Sequence, residues 1–285
     1  MSDRVIDRVT VLGAGTMGHG IAQVAAVAGC RVVLCDVEQK TLDAALARVD
    51  ESLRKLATKG ALSEAAGASA LEAIETSTDL AGAVAEADLV VEAIPERMDL
   101  KLDTFAQLDR HAPPHALLAT NTSSLSVTEI AGAVDDPSRV VGLHFFNPVP
   151  LMALLEVVQG MRTGEATIAA AREFASRLGK KPIVVRDWPG FATSRLGVAL
   201  GAEAIRMLEQ GVASAADIDQ AMELGYRHPM GPLRLTDLVG LDVRLAILEH
   251  LHREVGEQFR PPTLLRQMVR AGKLGRKAGE GFYTY

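Results

Sequence analysis

Three glycines, in Gly13-Ala14-Gly15-Thr16-Met17-Gly18, stand between an apolar run, Arg8-Val9-Thr10-Val11-Leu12, and a helical pattern from Gly15 to Ala28. Few folds accept that order. Gly13 permits a tight turn, Gly15 lets backbone approach a pyrophosphate, and Gly18 lets the helix pack closely on the strand. The amides that open the helix, with Ala14, Thr16 and Met17 between the glycines, then face the phosphates of a dinucleotide. Asp36 closes the next strand, where a carboxylate accepts hydrogen bonds from an adenosine ribose and repels a phosphate placed there, so NAD is favoured over NADP. The loop taken alone leaves FAD open.

The rest of the first half keeps the same rhythm. Ile21, Val24, Ala25 and Ala28 form the apolar face of the first helix, and Arg31 to Cys35 reads as the second parallel strand. A long helical pattern from Gln39 to about Lys59, a break at Gly60 and a second helix from Ser63 to about Ile74 predict a projecting helical hairpin. Asp88 to Ile94, Leu117 to Thr120 and Val140 to His144 read as strands, with helices at Met98 to His111 and Val127 to Ala133. Further strands are expected at Leu155 to Val158 and Pro182 to Val185. After Asp187-Trp188-Pro189-Gly190 the texture turns helical: Arg195 to Glu209, Asp217 to Leu224, Thr236 to Val255 and Thr263 to Ala271. Ser214-Ala215-Ala216-Asp217 has capping-box spacing with Asp in place of Glu. The expected fold is α/β: a Rossmann-type doubly wound sheet with a projecting hairpin in residues 1–186, then an all-helical domain in residues 187–285.

Two domains suit a chain of 285 residues, since one domain usually takes roughly 100 to 200. Every apolar stretch is interrupted well before the roughly 18 residues that a membrane helix needs, so no membrane partner is expected. The opening Met1-Ser2-Asp3-Arg4-Val5-Ile6-Asp7-Arg8 lacks the pattern of a signal peptide, which points to the cytoplasm. A net charge of −6 gives no general attraction to nucleic acid. Cys30 and Cys35 lie an odd number of residues apart along a strand, facing opposite sides, and read as separate thiols. Pro113 and Pro114 interrupt the His111/His115 spacing, and His250 and His252 point to different sides of a helix. No metal is expected.

His144, in Gly142-Leu143-His144-Phe145-Phe146-Asn147-Pro148, is followed by Glu156 twelve residues later. An imidazole, whose ordinary pKa is about 6.5, oriented by a carboxylate is the proton acceptor that oxidation of an alcohol requires once a nicotinamide takes the hydride. With the glycine loop, the pair proposes an NAD-dependent alcohol dehydrogenase.

These features together resemble the 3-hydroxyacyl-CoA dehydrogenases, especially the short bacterial 3-hydroxybutyryl-CoA type, over essentially the whole chain. The likeness extends to Val90-Val91-Glu92-Ala93-Ile94-Pro95-Glu96, Asn121-Thr122-Ser123-Ser124, Asp187-Trp188-Pro189-Gly190-Phe191, His228-Pro229-Met230-Gly231-Pro232-Leu233 and Leu274-Gly275-Arg276-Lys277-Ala278-Gly279-Glu280-Gly281-Phe282-Tyr283. The resemblance implies reversible oxidation of (S)-3-hydroxyacyl-CoA to 3-oxoacyl-CoA with NAD, in fatty acid metabolism such as β-oxidation or in butanoate metabolism. It assigns the proton to His144, its orientation to Glu156, and contact with the reacting 3-oxygen to Ser123. It places Asn147 and Glu96 at the nicotinamide half of the cofactor, Lys101 and Lys277 on the cofactor side of the cleft, and Ser52 and Lys59 at the CoA nucleotide. It also implies a homodimer through the helical domain, where Leu196, Val198, Leu200, Met207, Leu238 and Leu241 are available to core and interface alike. One position departs: the family commonly carries Asn directly before Arg195, whereas this chain has Ser194, whose shorter hydroxyl puts rate and chain-length preference in question at that otherwise catalytic position.

Two rivals remain at this point. A free hydroxy acid on the same scaffold would make no use of Ser52 and Lys59, and a non-catalytic NAD-binding protein would have no need of His144, Glu156 and Ser123 together.

Overall fold

The computed structural model describes residues 5–285, so the Met1 to Arg4 part of the N-terminal reading lies outside the described residues. The chain forms two compact units, one ending at Asp187 and one running from Trp188 to Tyr285.

The first unit is built on eight strands: β1 (Arg8–Leu12), β2 (Arg31–Cys35), β3 (Ile74–Ser77), β4 (Leu89–Glu92), β5 (Leu117–Thr120), β6 (Val140–Phe145), β7 (Leu154–Gln159) and β8 (Lys181–Arg186). They lie in the order β3-β2-β1-β4-β5-β6-β7-β8. All pairs are parallel except β6 with β7, which is antiparallel. The helices are α1 (Gly18–Val27), α2 (Gln39–Thr58), α3 (Glu64–Glu72), α4 (Leu80–Val84), α5 (Met98–His111), α6 (Val127–Ile130) and α7 (Glu165–Arg177). β4 and β5 are buried at every position and β1 at all but its first, which is why they read as unbroken apolar runs rather than alternating ones. The strand order reverses between β1 and β4, the point at which a doubly wound sheet opens a crevice beyond its strand ends.

Three elements of the first unit, β3, α4 and α7, were not expected from sequence. β3 is a four-residue edge strand, Ile74-Glu75-Thr76-Ser77, too short and polar to show a period, and it takes the end of the stretch read as helix. α4 follows it, capped by Asp79, whose carboxylate accepts from the amides of Ala81 and Gly82. The hairpin of α2 and α3 is rooted in the core, since Leu42, Ala45 and Val49 pack there with Leu34 and Ile74. Cys30 and Cys35 are both buried and unlinked; burial, followed by the charges of Asp36 and Asp79, pushes the Cys35 thiol up to about 11.

The second unit contains α8 (Thr193–Glu209), α9 (Ala215–Gly225), α10 (Pro232–Val239), α11 (Leu241–Glu254) and α12 (Thr263–Arg270). The stretch read as one helix from Thr236 is two, broken at Gly240, whose φ of +105° no L side chain adopts readily. Ser214 caps α9 through the amide of Asp217. Of the apolar residues left undivided by sequence, Val198 and Leu241 are core, whereas Leu196 is 73 % exposed and Leu238 48 %.

Asp219 holds this unit together. Its buried carboxylate accepts from the amides of Leu233 (2.7 Å) and Arg234 (3.0 Å) at the start of α10, and from the Tyr283 hydroxyl (2.7 Å). Burial, reinforced by that hydrogen bond, pushes the Tyr283 phenol well up. Asp219→Ala would strand buried donors and is expected to cost about 2–4 kcal/mol. Urea unfolding checks this; an unchanged midpoint contradicts the assigned role.

Candidate active site

Gly13 adopts φ +92°, and a β-carbon there would lie 2.7 Å from the Ala93 carbonyl oxygen of the strand-end loop after β4. A β-carbon on Gly18 would collide with the Gly13 carbonyl. Around Gly15, by contrast, a β-carbon would meet no atom within 4 Å. The loop is therefore pressed onto the sheet at Gly13, closed on itself where Gly18 meets the Gly13 carbonyl, and open at its middle, the shape a pyrophosphate cradle requires. Its conformation is pinned at Ala14: the amide donates to Asp36 Oδ2 at 2.7 Å, and the carbonyl accepts from the Arg48 guanidinium at 3.3 Å. Asp36 accepts at its other oxygen from the Glu38 amide at 3.2 Å. As a carboxylate it has about four lone-pair directions, so bracing the loop and binding a ribose diol are compatible. These residues fit NAD.

The sheet register aligns Leu12, Glu92, Thr120 and Gly142 across β1, β4, β5 and β6. Glu92 is fully buried and needs partners. It accepts from Lys101 Nζ at 2.6 Å, from the Ile94 amide at 2.8 Å and from the Thr120 hydroxyl at 2.7 Å. Lys101, which the resemblance sets on the cofactor side, is 1 % exposed. α5 brings it under the rim, where it also pairs with Glu96 at 3.3 Å. Glu96 in turn accepts from the Thr122 hydroxyl (2.6 Å), the Ser123 amide (3.0 Å) and the Ser123 hydroxyl (3.4 Å). Burial alone would push the Glu96 carboxyl up, but the Lys101 charge and the bonds from Thr122, Ser123 and Lys101 outweigh it and hold it below the usual range. Ser123 thus stands on a loop organised by Glu96, while Ser126 caps α6 and donates to Asp187.

His144 lies on β6 two residues beyond Gly142. Antiparallel pairing sets it directly opposite Glu156 on β7, so residues twelve apart in sequence become cross-strand neighbours. Nδ1 is 2.7 Å from Glu156 Oε2; His144 is 7 % exposed and Glu156 0 %. A carboxylate only accepts, so the bridging proton belongs to Nδ1 and Nε2 carries the basic lone pair. The Phe146 ring stacks at 49° with centroids 4.5 Å apart, and Asn121 accepts from the Phe145 amide at 2.9 Å, tying the end of β6 to the loop after β5.

Beyond β6 the loop through Asn147 meets α1 and α2 around a pocket lined by Thr16, Ser52, Lys55, Lys59, Asn147 and neighbouring residues. This brings Ser52 and Lys59 of the α2 region to the same pocket as Asn147. Lys180 fixes the loop, donating to the carbonyls of Val149 (2.5 Å) and Met152 (2.8 Å), and burial lowers its pKa. In the second unit, Ser194 sits half-buried in the first turn of α8, and Lys277 pairs with Asp242 at 2.6 Å. Sequence reasoning missed Glu92, Asn121, Arg48 and Lys180 as supporting residues. Only Glu92 left a signal: an acid within an apolar strand. Among the described residues no cluster of three or more His, Cys, Asp or Glu is placed to hold a metal, and no helix is long and apolar enough to cross a membrane.

Both units of the chain resemble known proteins. Residues 8–188 match the family model "3-hydroxyacyl-CoA dehydrogenase, NAD binding domain", and residues 190–285 match the C-terminal domain of the same family. The chain is 48 % identical to a probable 3-hydroxybutyryl-CoA dehydrogenase of Deinococcus radiodurans, covering 96 % of this chain and 99 % of that one. It is 46 % identical to a probable 3-hydroxybutyryl-CoA dehydrogenase of Bacillus subtilis, over 98 % of each chain. The crystal structure of (S)-3-hydroxybutyryl-CoA dehydrogenase from Ralstonia eutropha superposes with a TM-score of 0.96, at 43 % identity and 99 % coverage of both chains.

Because the Glu96 carboxyl is held below its unfolded value, the stability it contributes is present above about pH 4.3 and is lost as pH falls through its depressed folded value. Glu96→Gln should therefore lower the melting temperature at pH 7, and the gap to wild type should close under acid. A gap that widens on acidification contradicts this. Lys101→Met, which leaves Glu92 buried and unpaired, should be the more severe change at pH 7, by about 3–5 kcal/mol.

Proposed function

The chain belongs to the 3-hydroxyacyl-CoA dehydrogenase family, and from that premise we propose that it interconverts short (S)-3-hydroxyacyl-CoA and 3-oxoacyl-CoA, 3-hydroxybutyryl-CoA among them, with His144 as general base and acid. It is an NAD-dependent oxidoreductase. The observation that carries the proposal is the buried 2.7 Å contact between His144 and Glu156 at the strand-end rim.

Bound NAD supplies the hydride acceptor. His144 Nε2 takes the hydroxyl proton as the carbinol carbon gives up its hydride, and the imidazolium so formed is stabilised by Glu156. In the reductive direction the same nitrogen returns the proton to the 3-oxygen. Ser123 hydrogen-bonds that oxygen; its 3.4 Å bond to Glu96 is at the long end of the range and is redirected at little cost. Glu96 and Asn147 face the nicotinamide half. Lys101 acts through Glu96, being buried, and Lys277 completes the cofactor side. Ser52 and Lys59 hold the CoA nucleotide, which the pocket they line with Asn147 supports. Ser194 contributes orientation through its hydroxyl or a bridging water. We place the enzyme in fatty acid or butanoate metabolism, β-oxidation included, in the cytoplasm, and as a homodimer whose interface uses exposed apolar residues of the second unit such as Leu196 and Leu238.

NADH absorbance with acetoacetyl-CoA tests the reading directly, and no decay at micromolar enzyme would overturn it. His144→Ala should lower kcat by about 10²–10⁴. Ser194→Ala should lower it far less, and equal losses contradict the ranking. Lys59→Glu should raise KM for acetoacetyl-CoA and leave acetoacetate unaffected; a parallel change in both would remove the nucleotide role.

A further inference from the structure

Gln23 is 1 % exposed, and neither its Nε2 nor its Oε1 has a hydrogen-bond partner among the described residues. It lies on α1, three residues after Gly20, and with Gly20 and Thr16 of the glycine loop it lines the pocket between α1, α2 and the Asn147 loop. A buried amide left unpaired costs about 1–3 kcal/mol, a penalty that leucine of similar volume would avoid. The surrounding walls are fixed. A β-carbon on Gly20 would stand 2.9 Å from Val149 Cβ, and Lys180 anchors the Val149 carbonyl. The pocket is apolar along Val149, Pro150 and Leu56 and cationic at Lys59, with Lys55 beside it paired to Glu51 at 2.6 Å. That pattern suits a long arm carrying phosphate at one end and amides along its length.

Resting on the dehydrogenase reading above, we propose that Gln23 is a specificity-determining residue whose side-chain amide pairs with an amide of the pantetheine arm of the acyl-CoA substrate. An amide presents both donor and acceptor, so one partner satisfies Gln23 at both atoms. The carboxamide of the nicotinamide ring offers the same chemistry and is distinguished by the test.

The test uses the full chain and two variants, Gln23→Leu and the unbranched Gln23→Met. The melting temperature should hold or rise, since an unpaired polar group has been removed. KM for acetoacetyl-CoA should rise about tenfold, with kcat within about twofold. CoA should weaken about tenfold as a competitive inhibitor, while adenosine 3′,5′-bisphosphate, which has the nucleotide without the amide arm, keeps its Ki, and NADH keeps its Kd. A lower melting temperature in both variants with unchanged KM overturns the proposal in favour of a structural amide. Weaker NADH binding with unchanged CoA inhibition overturns it in favour of the nicotinamide. Wild-type protein without turnover of acetoacetyl-CoA would overturn the underlying reading as well, a result distinct from active variants with unaltered KM.

Discussion

An imidazole and a carboxylate, both withdrawn from solvent and 2.7 Å apart, are held by the register of β6 against β7. Side chains alternate along a strand, so a slip of one residue would send His144 and Glu156 to opposite faces. The antiparallel turn of the chain after β6 therefore does more than extend the sheet. It brings an acid into contact with a base that a parallel crossover would have left without it. A fully buried Glu156 is tolerable because the ring donates to it, and the ring keeps one tautomer because the carboxylate cannot donate in return.

Around this pair the strand ends form a tier of supports rather than a row of direct contacts. Glu92 and Lys101 neutralise each other beneath the rim, Glu96 gathers the loop from Thr122 to Ser124, and Asn121 ties that loop to β6. The glycine loop is treated in the same way, with Asp36 on the Ala14 amide and Arg48 on its carbonyl. Binding groups set by such supports are organised before any ligand arrives, which is the condition for electrostatic stabilisation to lower a barrier.

Much of this was legible in sequence because it rests on local rules. The β1 run, the Gly13 turn, Asp36 at the end of β2 and the Ser214 cap each follow from periodicity or from spacing within a few residues. The pairing of His144 with Glu156 was suggested by residue type, though the strand register that makes it came only from the fold. What was not legible depends on tertiary placement. β3 shows no alternation in four polar-leaning residues, Gly240 splits a helix whose apolar pattern runs straight through it, and Lys101 has the sequence setting of a surface lysine although its ammonium is enclosed by two carboxylates. Gln23 lies within the apolar run Ile21 to Val27 of α1, where nothing local separates a core residue from one beside a pocket.

The account turns on which nitrogen of His144 carries its proton before substrate binds. Nitrogen-15 NMR of histidine-labelled protein near neutral pH reports this directly. The arrangement predicts that the neutral form of the ring carries its proton at Nδ1 and leaves a pyridine-type Nε2, with loss of that preference in Glu156→Gln. A resonance showing Nε2 protonated in wild type, or the same tautomer with and without the carboxylate, would contradict it.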